Sequence, residues 1–421
     1  MIGTGYVGLT TGVCFASLGH EVTCADVDAD KAARLSRGET PIVEERIDEL
    51  LAEGLASGNL RFTDSPADSV RDCEVAFLCV PTPSLPDGSV DLSFVEEAAR
   101  MIAASLPRGA VLATKSTVPV GSTRIVEEVL QRDDVSVVSN PEFLREGSAV
   151  RDFLEPDRVV VGGDDDEAVG RVARLYEDLG APVVATDPAT AETIKYAANA
   201  FLATKLSFVN AIAAVCEAVG ADVDGVVDGL GHDRRIGADF LRPGPGWGGS
   251  CFPKDTRALL RLSESAGYPF RFLEGVLEVN AQQVDRVVAK IERATGGSLF
   301  GATVAAWGLT FKAGTDDLRE SPALAVIDVL LARGANVRAW DPTVGVGRHP
   351  IPSEVQVLPD PYSACDGADA IVVLTEWSEI SDLDPVKTAA AMASPQVVDT
   401  RNVLDREAWF AAGFEHQGIG R

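Results

Sequence analysis

Within its first eight residues the chain is already committed: Gly3-x-Gly5-x-x-Gly8 opens an apolar helical stretch that stops near Gly19, and a strand from Glu21 to Ala25 ends on Asp26. Glycines at this spacing permit a tight turn, a close backbone approach to a ligand and close packing of helix on strand. The helix N-terminus offers unpaired N–H groups to an anion, and an acid closing the next strand can accept hydrogen bonds from ribose hydroxyls. A lone glycine triplet is weak evidence. Helix, strand and acid in sequence make it a dinucleotide fingerprint, which dictates a parallel α/β sheet. A carboxylate at position 26 repels a ribose phosphate, which favours NAD over NADP. The strand leading into Gly3 is reduced to Met1 and Ile2. Read alone, that suggests a start inside a central strand, so that residues added before Met1 would strengthen folding and dinucleotide binding.

The α/β pattern continues through CEVAFLCV (73–80), which runs into Pro81, Thr82 and Pro83, then AVLATKSTVPVGST (110–123) and VSVVSNPEFLREGSAV (135–150). Parallel sheets bind ligands at the carboxyl ends of their strands, so Thr82, Thr117 and the Asn140-Pro141-Glu142 turn belong on one rim. Asn140-Pro141 predicts a helix start, an N-cap followed by a first-turn proline. Glu142 and Glu146 then share a helix face, where they either act on a ligand or offset the helix dipole.

From Ala189 the pattern turns helical for about 30 residues, with Ile194, Phe201, Leu202, Val209, Ile212 and Cys216 as its apolar positions. Lys195 and Asn199 lie one turn apart on it and could reach one ligand oxygen, or could simply be solvated. A second helical pattern covers 270–293, making an all-helical block suited to oligomerisation. After Gly296-Gly297 the α/β pattern returns, with a helix over 323–333, a strand ending in Asp341, and CDGADAIVVLT echoing RDCEVAFLCV. This half has no second glycine triplet and is expected not to hold a second dinucleotide. Lys312, Arg319 and Arg401 fall on its loops, as phosphate contacts or as ordinary surface charge. The division expected is 1–188, 189–295 and 296–421.

The densest chemistry is GPGWGGSCFPKD, Gly244 to Asp255. Four glycines and two prolines are a poor recipe for a core and a good one for backbone approaching a ligand. Cys251 has a cation (Lys254) and a carboxylate (Asp255) within four residues, which suits a nucleophilic thiol; a buried structural cysteine is the bland alternative. Seven cysteines without a CxxC pair, and only four histidines, support neither a disulfide framework nor a metal site. With 37 basic and 64 acidic residues the net charge is −27, which repels nucleic acid but leaves an anionic small molecule possible where cations cluster. No unbroken apolar run approaches bilayer length and no secretory signal stands at the start, so no membrane partner and a cytoplasmic location are expected.

Taken together, GTGYVG, VPTP, KSTVPVGST, SNPEFLREGSA, KYAANAFLA, RRIG, FLRPGPGWGGSCFPKD and LTFKAGTDDLRESP resemble the UDP-glucose 6-dehydrogenase family over essentially the whole chain. The resemblance implies two Rossmann-like domains flanking a central all-helical dimerisation block, a homodimer, and a four-electron oxidation of UDP-glucose to the uronate with two NAD used in succession. It implies Cys251 as a nucleophile passing through a thiohemiacetal and a thioester, with Lys195 and Asn199 on the oxyanion. Asp255, Glu142 and a water on Thr117 would then manage protons and hydrolysis. NAD contacts are implied at Gly3, Gly5, Tyr6, Val7, Gly8, Asp26, Lys31, Thr82, Thr117, Glu146, Lys254 and Arg319. The sugar nucleotide is implied against Glu142, Phe143, Leu144, Lys195 and Asn199, against Phe240, Leu241, Arg242, Gly244, Gly246 and Gly248, and against Phe311, Lys312 and Arg401, with Arg235 reaching across a dimer. Relatives acting on GDP-mannose or UDP-N-acetylmannosamine are the alternative, and Trp247, where Tyr or Phe is expected, bears on pocket size. A non-catalytic NAD sensor is the alternative from another class, and Cys251, Lys195 and Asp255 argue against it.

Overall fold

A computed structural model describes residues 1–345 and 350–421. The chain divides into two compact units, Met1–Ala198 with Arg257–Gly267, and Asn199–Thr256 with Tyr268–Arg421.

In the first unit the glycine turn leads into helix α1 (Tyr6–Ser17) and then β1 (Val22–Ala25), β2 (Leu60–Thr63), β3 (Val75–Leu78), β4 (Val111–Thr114), β5 (Ser136–Ser139), β6 (Val159–Gly162) and β7 (Val183–Thr186). β1 pairs with β2, and β3 to β7 pair in sequence order, parallel except where β5 meets β6. Ile2 bridges Ala25 on one side and Leu78 on the other, and so joins the strand pair to the larger sheet. Every residue of β4 and β6 is buried, as expected of parallel strands covered on both faces. Successive residues feed opposite cores: Phe77, Val111 and Val138 pack with Leu9, Val13 and Phe15, while Leu78, Leu112 and Val137 pack with Val95, Ile102 and Val126. The chain order reverses between Ile2 and β3, and the glycine turn and the Val80–Thr82 loop open at that switch point.

The second unit contains β8 (Thr303–Trp307), β9 (Asn336–Trp340), β10 (Gln356–Val357), β11 (Ala370–Val373), β12 (Gln396–Asp399) and β13 (Glu415–Gly418). They form one parallel sheet in the order β10-β9-β8-β11-β12-β13, with its switch point between β8 and β11. One face is covered by the helices Arg271–Ala294 and Pro322–Ala332; the other carries four of the five tryptophans, Trp307, Trp340, Trp377 and Trp409. Asp341, closing β9 as Asp26 closes β1, is 4% exposed and accepts from the Leu309 and Thr310 amides and the Trp377 indole. Its lone pairs are spent on the protein.

The long helix Pro188–Val219 is, among the described residues, long and apolar enough to cross a bilayer by length and composition. Its polar side chains are engaged within the protein instead: the Ser207 hydroxyl donates to the Val276 carbonyl (2.8 Å) and Asn210 Oδ1 accepts from the Gly244 amide (2.8 Å).

One sequence expectation is corrected. No helix starts at Asn140; residues 140–148 form an irregular loop and the helix begins at Ala149. Glu142 and Glu146 therefore share no helix face. The Asn140 side chain is occupied in the interior: its Oδ1 accepts from Lys115 Nζ (3.2 Å) and the Tyr176 hydroxyl (2.6 Å), and its Nδ2 donates to the Val160 carbonyl (2.8 Å). An amide so committed cannot cap the turn that follows it.

Candidate active site

In the first unit the glycine turn has the shape a pyrophosphate needs. Gly3 sits at φ +94°, and a Cβ there would lie 2.7 Å from the Cys79 carbonyl oxygen. A Cβ on Gly8 would lie 2.0 Å from the Gly3 carbonyl oxygen, so helix and turn touch through backbone alone. At Gly5 a Cβ would meet nothing within 4 Å; the space ahead of α1 is open. No side chain caps α1 and no acid stands in its first turn. Its N–H groups and dipole thus remain available to an anion. Tyr6 and Val7 begin the helix, half-buried.

Asp26 is held rigidly at the end of β1. Its Oδ2 accepts from the Thr4 amide (3.0 Å), the Thr4 hydroxyl (2.6 Å) and Lys31 Nζ (2.9 Å). Burial alone would raise its pKa, but the bonds from Thr4 and Lys31 outweigh it and hold the carboxyl at about 2. A depressed carboxyl contributes stability above its unfolded value, near ~3.9, and that contribution fades as pH falls toward about 2. The fixed, ionised carboxylate suits ribose hydroxyls and opposes a phosphate. Asp26→Asn, which keeps the shape and removes the charge, is therefore expected to cut the preference for NAD over NADP by about tenfold, the order of one charged hydrogen bond. Equal preference ratios for the two proteins in steady-state kinetics would refute this.

The rim beside this turn carries Thr82 and Thr117, both half-buried at strand ends. Glu142 is 6% exposed; its Oε1 meets Lys195 Nζ at 3.0 Å and its Oε2 accepts from the Leu144 amide (2.6 Å). Lys195, 3% exposed, also stands 5.4 Å from the Phe143 ring centre, and the Arg158 guanidinium lies 3.6 Å from the same centre. Phe143 is thus gripped by two cations. Arg158 was not singled out from the sequence, where it is one arginine in EPDRVVVG with nothing to mark it.

The second unit gathers the cysteine turn. Cys251, half-buried, gives its carbonyl to the Asp255 amide (2.8 Å), which puts it at the N-terminal boundary of the helix Phe252–Ser265. Partial positive charge at that end favours an anion on Sγ. Asp255 is fully buried and accepts from Lys254 Nζ (2.6 Å) and from Asn199 Nδ2 (2.6 Å). The expected Asn199, Lys254 and Asp255 are therefore one bonded cluster next to Cys251 in the chain. Of the other six cysteines, Cys73 is half-buried like Cys251, whereas Cys14, Cys24, Cys79, Cys216 and Cys365 are buried, and burial pushes Cys14, Cys79 and Cys365 up to about 12 and Cys24 to about 11.

The glycines of this turn are fixed by specific neighbours. A Cβ on Gly248 would lie 1.9 Å from the Glu320 carbonyl oxygen, and one on Gly249, at φ +82°, 2.7 Å from the Phe311 ring. Gly246 is at φ +126° and Gly244 sits against the Arg401 guanidinium. Arg401 donates to the Leu374 carbonyl (2.8 Å) and the Phe311 carbonyl (3.2 Å) and pairs with Glu376 (3.1 Å), so it braces the loop ends at the switch point. Lys312 Nζ stands 5.9 Å from the Phe311 ring centre.

Phe240 adopts φ +61°, a strained value for an aromatic residue, and packs near Phe252. The Leu241 side chain is 1% exposed in the core, so only its backbone could meet a ligand, whereas Arg242 is exposed. Arg235 lies apart on an exposed loop, paired with Asp233 (2.6 Å), and Arg319 pairs with Asp317 (2.6 Å). Trp247 faces inward and donates its indole N–H to Ser207 Oγ (2.9 Å). Asn280 exchanges bonds with its backbone (2.8 and 2.9 Å) and Gln283 donates to the Gly244 carbonyl (2.8 Å). Ser207, Asn210, Asn280 and Gln283 were all missed in the sequence; their signal is polar residues interrupting apolar helix stripes.

Comparison with known proteins agrees with this geometry. The UDP-glucose/GDP-mannose dehydrogenase family matches as an NAD binding domain over residues 1–180, a central domain over 189–282 and a UDP binding domain over 305–406. UDP-glucose 6-dehydrogenase of Rhizobium meliloti (strain 1021) is 46% identical over 431 residues, covering 100% of this chain and 99% of that protein. A UDP-glucose dehydrogenase structure from Pyrobaculum islandicum superimposes with TM-score 0.91 at 37% identity, covering 100% of this chain and 96% of that one. A UDP-D-ManNAc dehydrogenase structure from Pyrococcus horikoshii gives TM-score 0.88 at 28% identity, covering 100% and 98%. The class is that of an NAD-dependent oxidoreductase, in keeping with the glycine turn and Asp26. The chain belongs to the UDP-glucose/GDP-mannose dehydrogenase family.

Proposed function

We propose that the chain oxidises C6 of UDP-glucose twice, yielding UDP-glucuronate, with residues 1–188 binding NAD, 189–295 supplying the thiol and 296–421 binding the UDP group. The observation that carries this is the cysteine turn: a half-buried thiol at a helix N-terminus, beside a bonded Asn199–Asp255–Lys254 cluster, in a loop where Gly248 and Gly249 leave no room for a side chain. The 46% identity to a UDP-glucose 6-dehydrogenase over the whole chain supports glucose over the other sugars.

NAD, bound at the glycine turn, accepts a hydride in each oxidation. Cys251 Sγ adds to the aldehyde carbon, forming a C–S bond and a thiohemiacetal whose oxygen carries the developing charge. Lys195 and Asn199, one turn apart on the long helix, are the donors for that oxygen. After the second oxidation the carbon is a thioester. A water held by Thr117 attacks it, Glu142 and Asp255 take up protons, and the C–S bond breaks to return the thiolate and release the acid.

The proposal includes a homodimer in the cytoplasm. Phe201, Phe208 and Val215 recur every seventh residue on the long helix and stand 66%, 50% and 54% exposed, an apolar stripe that a second copy would cover. Sedimentation showing only monomer at micromolar concentration would remove this part. Incubation with NAD and a panel of UDP-glucose, UDP-N-acetylmannosamine and GDP-mannose tests the substrate. Two NADH per UDP-glucose, with no free aldehyde, is expected; preferential turnover of another sugar would overturn the assignment.

A further inference from the structure

The irregular loop 140–148 has neither helix nor strand to hold it, yet it carries Glu142 and Glu146. Its far end is pinned from an unexpected place. Glu44, 8% exposed, is bonded by the Tyr6 hydroxyl, and the Gly147 amide donates both to Glu44 Oε2 (2.8 Å) and to the Tyr6 oxygen (2.7 Å). The Val150 amide donates more weakly to Glu44 Oε1 (3.4 Å).

Donor accounting leaves one arrangement. A backbone N–H can only donate and a carboxylate can only accept, so the tyrosine hydroxyl gives its proton to Glu44 and takes the bond from Gly147. Burial, and then the Glu44 carboxylate, keep Tyr6 protonated far above the ordinary tyrosine range, and Glu146 is near enough to add to this. Left-handed backbone lies at and beside the contact. Gly147 stands at φ +81°, and Arg46, two residues past Glu44, holds φ +65° without being glycine.

Tyr6 is the first residue of α1, directly after the open Gly5 position where the dinucleotide phosphates belong. We propose that Glu44 is a positioning residue which, through the Tyr6 hydroxyl, latches Gly147 to the first turn of α1, so that dinucleotide binding there and the order of the loop 140–148 reinforce each other. A ligand that fixes Tyr6 fixes Gly147, and by linkage an ordered loop tightens the ligand. This rests on NAD occupying the glycine turn and is independent of the Cys251 chemistry.

Hydrogen–deuterium exchange on the intact wild-type chain is the first test: NAD should slow exchange of the amides at 145–150. Unchanged exchange there on saturation with NAD overturns the latch without any variant. Tyr6→Phe keeps the ring and deletes the hydroxyl, and Glu44→Gln removes the charge. Each is expected to weaken equilibrium NAD binding about tenfold, the order of a charged hydrogen bond, and to abolish the NAD-induced protection. A purely structural role would lower the unfolding midpoint yet leave wild-type NAD affinity and protection in the folded variant, and that result also overturns the proposal.

Discussion

Cys251→Ala is expected to lose acid formation by at least about a thousandfold, the order of loss when an enzyme's nucleophile is removed. The argument rests on electron count. An alcohol gives up one hydride to become an aldehyde, but the aldehyde carbon must gain a fourth substituent before it can give up another. In the proposed mechanism Cys251 supplies sulfur as that substituent, and the sulfur leaves when water attacks the thioester. The position is favourable for the test, because Cys251 is half-buried at a helix boundary, its sulfur 3.5 Å from Ser250 Oγ. Its replacement should leave the fold and the binding of both substrates intact. Slow oxidation of a hydrated aldehyde accounts for a small residual rate. Chromatography of the products decides: UDP-glucuronate formed by the folded variant near the wild-type rate would end the covalent mechanism.

Lys195→Met should be costly twice over. Lys195 and Glu142 face each other at 3.0 Å with both side chains at or below 5% exposed. Removing the cation leaves a buried carboxylate with one amide bond, from Leu144, which costs on the order of 3–5 kcal/mol. In the proposed mechanism the same change also deletes an oxyanion donor, worth roughly 10²–10³ in turnover. Adding Glu142→Gln to Lys195→Met should recover much of the stability and none of the activity, which separates the two losses. Denaturant unfolding and single-turnover NADH formation measure them. If Lys195→Met unfolds at the wild-type denaturant concentration, the buried pair contributes nothing and the first half of the argument fails.

How far such chemistry can be read from sequence depends on the range of the contacts that hold it. The glycine turn, the long helix and the cysteine turn were legible because their signals are local: spacing, periodicity, and glycine beside a reactive side chain. The loop 140–148 was misread because Asn140-Pro141 is a sound helix start by local rules, whereas the asparagine answers to Lys115 and Tyr176, 25 and 36 residues away. Gly248 and Gly249 were recognisable as permissive backbone, but the reason for them, Glu320 and Phe311, lies across some 60 to 70 residues of chain. Glu44 had no local mark at all. Its partners Tyr6 and Gly147 stand 38 residues before it and 103 after it.

The buried cysteines bear on what a thiol reagent would find. Desolvation keeps Cys14, Cys24, Cys79 and Cys365 protonated at neutral pH, so none of these four offers a thiolate to an electrophile or an oxidant. Selectivity toward covalent inhibitors is thereby written into the packing of the two sheets, and the number of cysteines in the chain says little about how many of them such a compound can reach.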